Sequence, residues 1–454
     1  MIDTQRYRRA ADNIVSRSLG LRTGQNLLIL IDATSLPVAD ILAEVALDLG
    51  VSATTIYIPK IQQQHFRTGD HLPTPLDLAI GEAHGVFSCL SPDAECTAFR
   101  TAVVTTSCGN ERRTVHAPGF NVDILPYMDA DFDLIEQRCE LVAHALMLGR
   151  RIRLDTYGGD GSLYTLLADL DGQEMPPGIS NGRIQNSEWA NLPPGETFIV
   201  PVDGEGKFVV NGSIPGRVFT RGEELILGFE DGRCVDVQAS APSILHYFHD
   251  TQIAPAEAMG DANWRNLAEI GFGMNTMIDR LFGIELLDEK KAGTVHVALG
   301  ASDLLGGRIH SSIHCDLVSL NPTVFVDGKP ILDHGEWVLN ADDWLLDYRT
   351  IEIPGDWWGN VKGLRRSGSR VIETDGRLYR VWGTGLGRTT TVSVGDAATA
   401  ELALQLYRLL PDRASWLAKS DFLQAALDMS IAPEEALGVL QVMDRYGLAR
   451  FQKE

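Results

Sequence analysis

His314 and Asp316 stand two residues apart. On a strand, positions i and i+2 share a face, so this imidazole and carboxylate would project together as a metal corner. His296 sits in the apolar run Val295 to Leu299 and could supply a third ligand from a neighbouring strand. Two His and one carboxylate with open positions suit a mononuclear Fe(II) oxygenase, and added carboxylates would suit one or two zinc-type ions for hydrolysis. The same spacing also fits a solvated His and Asp at a strand end. Two further acids occur in Gly-rich contexts, Glu196 in Asn191-Leu-Pro-Pro-Gly-Glu-Thr-Phe and Glu269 in Leu267-Ala-Glu-Ile-Gly-Phe-Gly-Met-Asn275. By default each reads as an exposed loop acid. The run Asp288-Glu-Lys-Lys291 reads as a solvated charged face. Paired His246 and His249 lack a third ligand in sequence, and Trp357-Trp358 read as loop aromatics plugging a core or an interface. Cys315, between two candidate ligands, is expected to be buried on the opposite strand face and not to act as a nucleophile.

The elements that must position these residues change texture along the chain. Asn26-Leu-Leu-Ile-Leu-Ile31 is a continuous apolar run that fits a strand buried on both faces. Val38 to Leu49 has helical spacing with Gly50 as C-cap, and Ala53 to Ile58 is β-branched, which completes a βαβ unit. Gly85 to Leu90 and Ala102 to Thr105 read as further parallel strands, Phe132 to Leu148 as a helix and Arg151 to Asp155 as a strand. No glycine-rich phosphate loop follows the first strand. Beyond 180, short strands are punctuated by turns, with hairpin signals at Asp231-Gly232 and Asp327-Gly328. Helices are expected around Ser243 to Tyr247 and Asn263 to Ile270. Residues 355–370 read as loop, followed by a small sheet and three amphipathic helices, Ala397 to Leu410, Trp416 to Leu427 and Pro433 to Tyr446. The expected organisation is an α/β domain over 1–180, an α+β metal-binding catalytic domain over 181–345, a linker over 346–369 and a winged-helix-like module over 370–454.

Composition narrows the class. The chain has 454 residues, 44% hydrophobic and 22% charged, with a net charge of −22. This is a globular balance with ample apolar material, and the acidic excess opposes a phosphate backbone, so nucleic acid is not an expected partner. No run approaches the ~20 apolar residues of a membrane span, and the start, Met1 to Arg9, lacks an apolar signal core. A cytoplasmic protein is expected. The six cysteines form no CxxC pair and read as reduced thiols.

The motifs occur as an ordered series: Asn191-Leu-Pro-Pro-Gly-Glu196, Asn211-Gly-Ser-Ile-Pro, Phe229-Glu-Asp-Gly-Arg233, Ala268-Glu-Ile-Gly-Phe-Gly-Met-Asn275, Leu287-Asp-Glu-Lys290, Gly293-Thr-Val-His296 and Ile313-His-Cys-Asp316. Over roughly 180–340 this series resembles the metalloaminopeptidase family of aminopeptidase T and aminopeptidase S. The resemblance implies two zinc- or cobalt-like ions held by Glu196, Glu269, His296, His314 and Asp316, with Glu196 and Glu269 also in the catalytic role. It implies a small peptide or small-molecule substrate and a homodimer. The family tyrosine that follows the first His by seven residues is replaced here by Asp303, and the interval between the two His is shorter. The superfamily also contains a ring-cleaving dioxygenase acting on 2,5-dihydroxypyridine, which holds one Fe(II) with two His and one Asp. His296, His314 and Asp316 match that set as well.

Three functions therefore stand as expectations: an aminopeptidase-type metallohydrolase of a peptide or amide bond, a mononuclear Fe(II) oxygenase, and a binding protein with a degenerate metal site. Residues 370–451 loosely resemble the small winged-helix domains that grip leader peptides in ribosomal-peptide maturation enzymes, which implies peptide binding by the C-terminal module.

Overall fold

The computed structural model describes residues 4–170, 176–351, 361–367, 370–374, 376–385, 388–411 and 415–453. Trp357 and Trp358 lie outside them. Among the described residues, helices combine with five sheets in a mixed α/β architecture.

The strand Asn26–Ile31 is the seed of a five-stranded parallel sheet. Its alternate residues enter different cores. Leu27, Ile29 and Ile31 pack with the helices Thr4–Asp12 and Leu36–Asp48, while Leu28 and Leu30 pack with Leu76, Ile80, Phe99 and Val103 on the other side. Each such side chain contributes about 1.5–3 kcal/mol by leaving water. The sheet order is Ser52–Tyr57, Asn26–Ile31, Gly85–Cys89, Arg113–His116 and Trp189–Ala190. The strand expected at Ala102 to Thr105 is instead the middle of the helix Thr97–Gly109. Its β-branched residues carry only a weak strand preference, and Phe99, Val103 and Ser107 bury one helical face.

Two antiparallel sheets share the main core. An eight-stranded sheet runs in the order Arg233–Ala239, Leu225–Glu230, Asp203–Val210, Leu163–Asp169, Arg151–Tyr157, Thr323–Val326, Lys329–Asp333 and Glu336–Trp337. The expected strand at Arg151 thus exists, but it pairs antiparallel with Leu163–Asp169 and Thr323–Val326 and does not join the parallel sheet. Both Asp-Gly hairpins form as read, with φ of 48° and 66° at Asp231-Gly232 and 48° and 80° at Asp327-Gly328. The seven-stranded sheet runs in the order Arg217–Val218, Ser213–Ile214, His314–Leu320, Thr294–Gly300, Leu267–Gly273, Glu196–Ile199 and Gly178–Ser180. The helix expected around Asn263 to Ile270 is overturned. A single 3₁₀ turn, Ala262–Arg265, leads into the strand Leu267–Gly273, buried along its whole length. Trp264, Leu267 and Ala268 fall at helical spacing, but the pairing of Leu267–Gly273 with Thr294–Gly300 and Glu196–Ile199 makes the segment a strand.

Near the C-terminus, the helices Ala397–Leu409, Lys419–Asp428 and Pro433–Arg445 surround a small core. The loop expected over 355–370 is overturned at Val361–Arg366, which is the central strand of a sheet between Leu417–Ala418 and Ala449–Lys453, fixed by pairing with these distant strands. Arg370–Thr374, Arg377–Gly385 and Arg388–Ser393 form a second small sheet. No described helix is long and apolar enough to cross a membrane.

The helix Phe132–Leu148 ties these parts together. Asp131 caps it, accepting from Asp133 N and Leu134 N. Phe132 enters a core of the parallel sheet. Ile135, Cys139, Val142, Ala145 and Leu146 enter the antiparallel-sheet core, and Ala143, Met147 and Leu148 meet the C-terminal core. On its outer face, buried His144 hydrogen-bonds Tyr446 Oη at 2.9 Å through Nδ1. Burial pushes His144 down from its ordinary 6.5 to about 4. The unfolded chain takes up this proton near pH 6.5 and the folded chain does not, so the associated stability is complete above 6.5. It is lost as pH falls towards about 4, on the order of 3 kcal/mol in all. Urea midpoints should fall across this window, and His144→Asn should flatten the fall; a variant with an unchanged slope would refute the assignment.

Candidate metal centre

Four neighbouring strands of the seven-stranded sheet carry the five candidate ligands, and their register places all five on one face. Paired residues of an antiparallel ladder point the same way. Glu196 lies opposite Gly273, His296 opposite Gly271, Glu269 and Asp316 both opposite Ala298, and His314 opposite Gly300. Every ligand therefore has Gly or Ala as a partner on at least one side of the ladder, which leaves room for side chains to converge. The opposite face sends Ile270, Phe272, Val295, Val297, Leu299 and Leu317 into the core. Cys315 goes with them, buried as expected, and burial raises its thiol pKa well above the ordinary value.

The convergence is close. Ligand atoms of Glu196, Glu269 and His296 lie within 4.8 Å of one another, as do those of Glu269, His314 and Asp316. Glu269 belongs to both groups. Its Oε1 is 3.7 Å from His296 Nε2 and its Oε2 is 3.0 Å from His314 Nε2. His296 Nε2 is 3.3 Å from Glu196 Oε1, and His314 Nε2 is 3.3 Å from Asp316 Oδ1. His314 Nδ1 donates to the Ala301 carbonyl at 2.7 Å, which fixes the ring and aims Nε2 at the acids.

Burial and charge oppose each other here. Burial disfavours the imidazolium of His296, yet Glu196 and Glu269 raise it to about 10. At His314 the acids Asp316 and Glu269 likewise outweigh burial and hold the ring well above its ordinary value. Burial would raise Asp316, but His314 and His296 hold it down at about 2. At Glu196 burial is outweighed by Lys290 and His296, which lower its pKa. Protons on two imidazoles thus supply the positive charge that three crowded carboxylates require. A divalent cation supplies it better and releases those protons.

The donor set fits such a cation. His296 is fully buried, its Nδ1 makes no hydrogen bond, and its Nε2 and Asp316 Oδ1 have ion-pair neighbours at 3.3 Å but no hydrogen bond of good geometry. Buried polar atoms are seldom left this way. Two imidazoles and three carboxylates are donors for zinc, cobalt or iron.

Both loop-acid readings are corrected: Glu196 and Glu269 are buried strand residues, the latter 3% exposed. The solvated-face reading of Asp288 to Lys291 is overturned as well. Asp288, Glu289 and Lys290 are buried, and Lys290 Nζ pairs with Glu289 and lies 3.5 Å from Glu196 Oε2. Asn275 explains why these motifs meet. Its N donates to Lys290 O and its Nδ2 to Pro194 O, stitching three motif segments together. Asp303 joins neither group of ligands and hydrogen-bonds His310 at 2.8 Å. His249 pairs with Asp250 and Glu257, away from the cluster.

Spacing did not reveal Glu285, whose Oε1 accepts from Asp316 N at 3.1 Å and which burial and Asp316 push up to about 7. The helix Phe132–Leu148 braces the strand of Glu196, a contact with no local sequence signal. Cys139 Sγ donates to Glu196 O, and Thr197 Oγ1 donates to Cys139 O. Gly271 carries the one signal that was readable, a glycine inside a buried apolar strand.

No protein-family model matches the chain, and no curated protein matches it in sequence. Among solved structures it is similar to 2,5-dihydroxypyridine dioxygenase from Pseudomonas putida KT2440, at 17% identity with a TM-score of 0.58, covering 75% of this chain and 99% of that one. Wild-type AmpT from Thermus thermophilus is matched at 16% identity with a TM-score of 0.49, covering 74% and 99%. At such identities the likeness to the dioxygenase shows a shared fold.

A methyl group at position 271 would overlap the His296 imidazole. Gly271→Ala should therefore weaken zinc binding by about tenfold or more while the circular dichroism spectrum is retained. Unaltered affinity in titration calorimetry would contradict the packing argument.

Proposed function

We propose that this chain is a metal-dependent hydrolase of a peptide or amide bond, built on a two-ion site. The observation that carries this reading is Glu269, one carboxylate presenting Oε1 to His296 and Oε2 to His314. Glu196, Glu269 and His296 would hold one zinc- or cobalt-type ion, and Glu269, His314 and Asp316 a second. Bound there, divalent ions make water acidic and polarise a carbonyl.

The remaining work falls to the chain. His314 is oriented by the Ala301 carbonyl and His296 by its close fit over Gly271. Glu196 turns Oε1 to the cluster, where it would hold an ion, and Oε2 towards Lys290, which helps keep it an anion. Trp189, Pro118, Phe198, Leu286 and Leu305 give the cavity beside the cluster an apolar lining.

The alternative is a mononuclear Fe(II) oxygenase using His296, His314 and Asp316. It is favoured by the placement of all three on one sheet face and by the fold shared with the dioxygenase. Against it, the three residues are divided between two ligand groups. A third reading, a binding protein that retains the fold and holds no metal, is kept for a chain that takes up none. For the C-terminal unit we propose a winged-helix-like module that binds a peptide segment, and for the whole chain a homodimer.

Metal analysis of anaerobically purified protein separates the readings. Two ions per chain with amide hydrolysis are expected. His314→Ala should then keep about one ion, because the group around His296 survives. One iron per chain with oxygen consumption, lost altogether in His314→Ala, would replace the hydrolase by the oxygenase.

A further inference from the structure

The ligand cluster opens into a cavity of about 330 Å³, at the small end of small-molecule sites, which run from about 300 to 1,000 Å³. That volume suits an amino-acid-sized group in preference to a long peptide. Two kinds of residue line it. Glu196, Glu269 and Asp316 come from the sheet, and Glu285 and Glu289 from the short helix Glu285–Asp288 and its end. Pro118, Trp189, Leu286 and Leu305 form an apolar wall. Among the described lining residues there is no Lys or Arg. A substrate carboxylate extending past the ligands would meet acids and no cationic donor, and an unpaired buried charge is strongly disfavoured.

Trp189 is the largest apolar surface on that wall, and it is held rigidly. Its strand, Trp189–Ala190, pairs with Thr114 and Val115 of the parallel sheet. The His116 ring meets the indole edge-on at 5.4 Å and 86°, and the same imidazole contacts Asn191 Oδ1 at 3.1 Å through Nδ1. The indole is partly exposed, as a wall facing a ligand must be. A fixed aromatic ring contributes a large apolar contact at small entropic loss.

We infer that Trp189 makes this site selective for a substrate with a neutral, apolar, amino-acid-sized side chain, and that the acids lining the same cavity disfavour one bearing a carboxylate there. The inference rests on the reading of the cluster as a metal site. The parallel-sheet unit is then a specificity wall that contributes no ligand.

Two hydroxamate chelators test it because they bind the metal whichever reaction follows. 4-Methylpentanohydroxamate and succinic monohydroxamate differ only in an isopropyl or a carboxylate end. Calorimetry on the zinc-loaded full chain, with metal content measured first, should show the apolar probe binding about tenfold tighter or more. Trp189→Ala should loosen the apolar probe and so reduce that preference at unchanged metal content, while the acids still disfavour the carboxylate probe, and Trp189→Phe should keep most of it. Equal affinities for the two probes, or a full preference in Trp189→Ala, would overturn the inference while leaving the metal reading intact. A chain that binds no zinc would overturn both.

Discussion

The register of four antiparallel strands is the constraint on which the candidate centre depends. A shift of one residue in any of them would turn its ligands into the core and its core residues into the cavity. That register is held from behind, where Ile270, Phe272, Val295, Val297, Leu299 and Leu317 leave no second way to bury the sheet. It is permitted in front by Gly271, Gly273, Ala298 and Gly300, whose small side chains let imidazoles and carboxylates lean together. Apolar residues choose the face, and small residues set the distance.

Charge adds a second layer to the same arrangement. Three carboxylates crowd within reach of one another in a mostly buried site, with Lys290 fully buried beside Glu196. Such a cluster is stable only when something cationic sits among the oxygens. Protonated imidazoles meet that need in the bare chain, and a divalent ion meets it more fully. Any ion bound by this cluster would be coupled to folding. The net charge of −22 belongs mostly to the exposed surface and says little about it.

How much of this was readable in the sequence depends on the range of the interaction. His314 and Asp316 are a local pair, so strand periodicity alone puts them on one face. The Asp-Gly hairpins and the strand Asn26–Ile31 are local too, and they form as read. Glu196, Glu269 and Lys290 are different. A lone acid in a Gly-rich stretch looks exposed until a partner from elsewhere in the chain buries it, and here the partners are distant segments joined through Asn275. The helix expected at Asn263 to Ile270 and the strand expected at Ala102 to Thr105 fail for one reason: each segment takes its form from distant partners that the sequence does not reveal. The Trp189 wall had no local signal, since a two-residue strand gains its place only by pairing with Arg113–His116.

The helix Phe132–Leu148 contributes to three separate cores while its Cys139 braces the strand of Glu196. A chain joined in this way is not a string of beads. Cutting away the C-terminal unit would bare Ala143, His144, Met147 and Leu148 to water on a helix whose inner side steadies a ligand. Grafting that unit onto another enzyme would likewise require a matching apolar stripe on the recipient. The modularity suggested by the linear order of the elements is therefore restricted in three dimensions, and recombination can exchange these parts only together with the helix that they share.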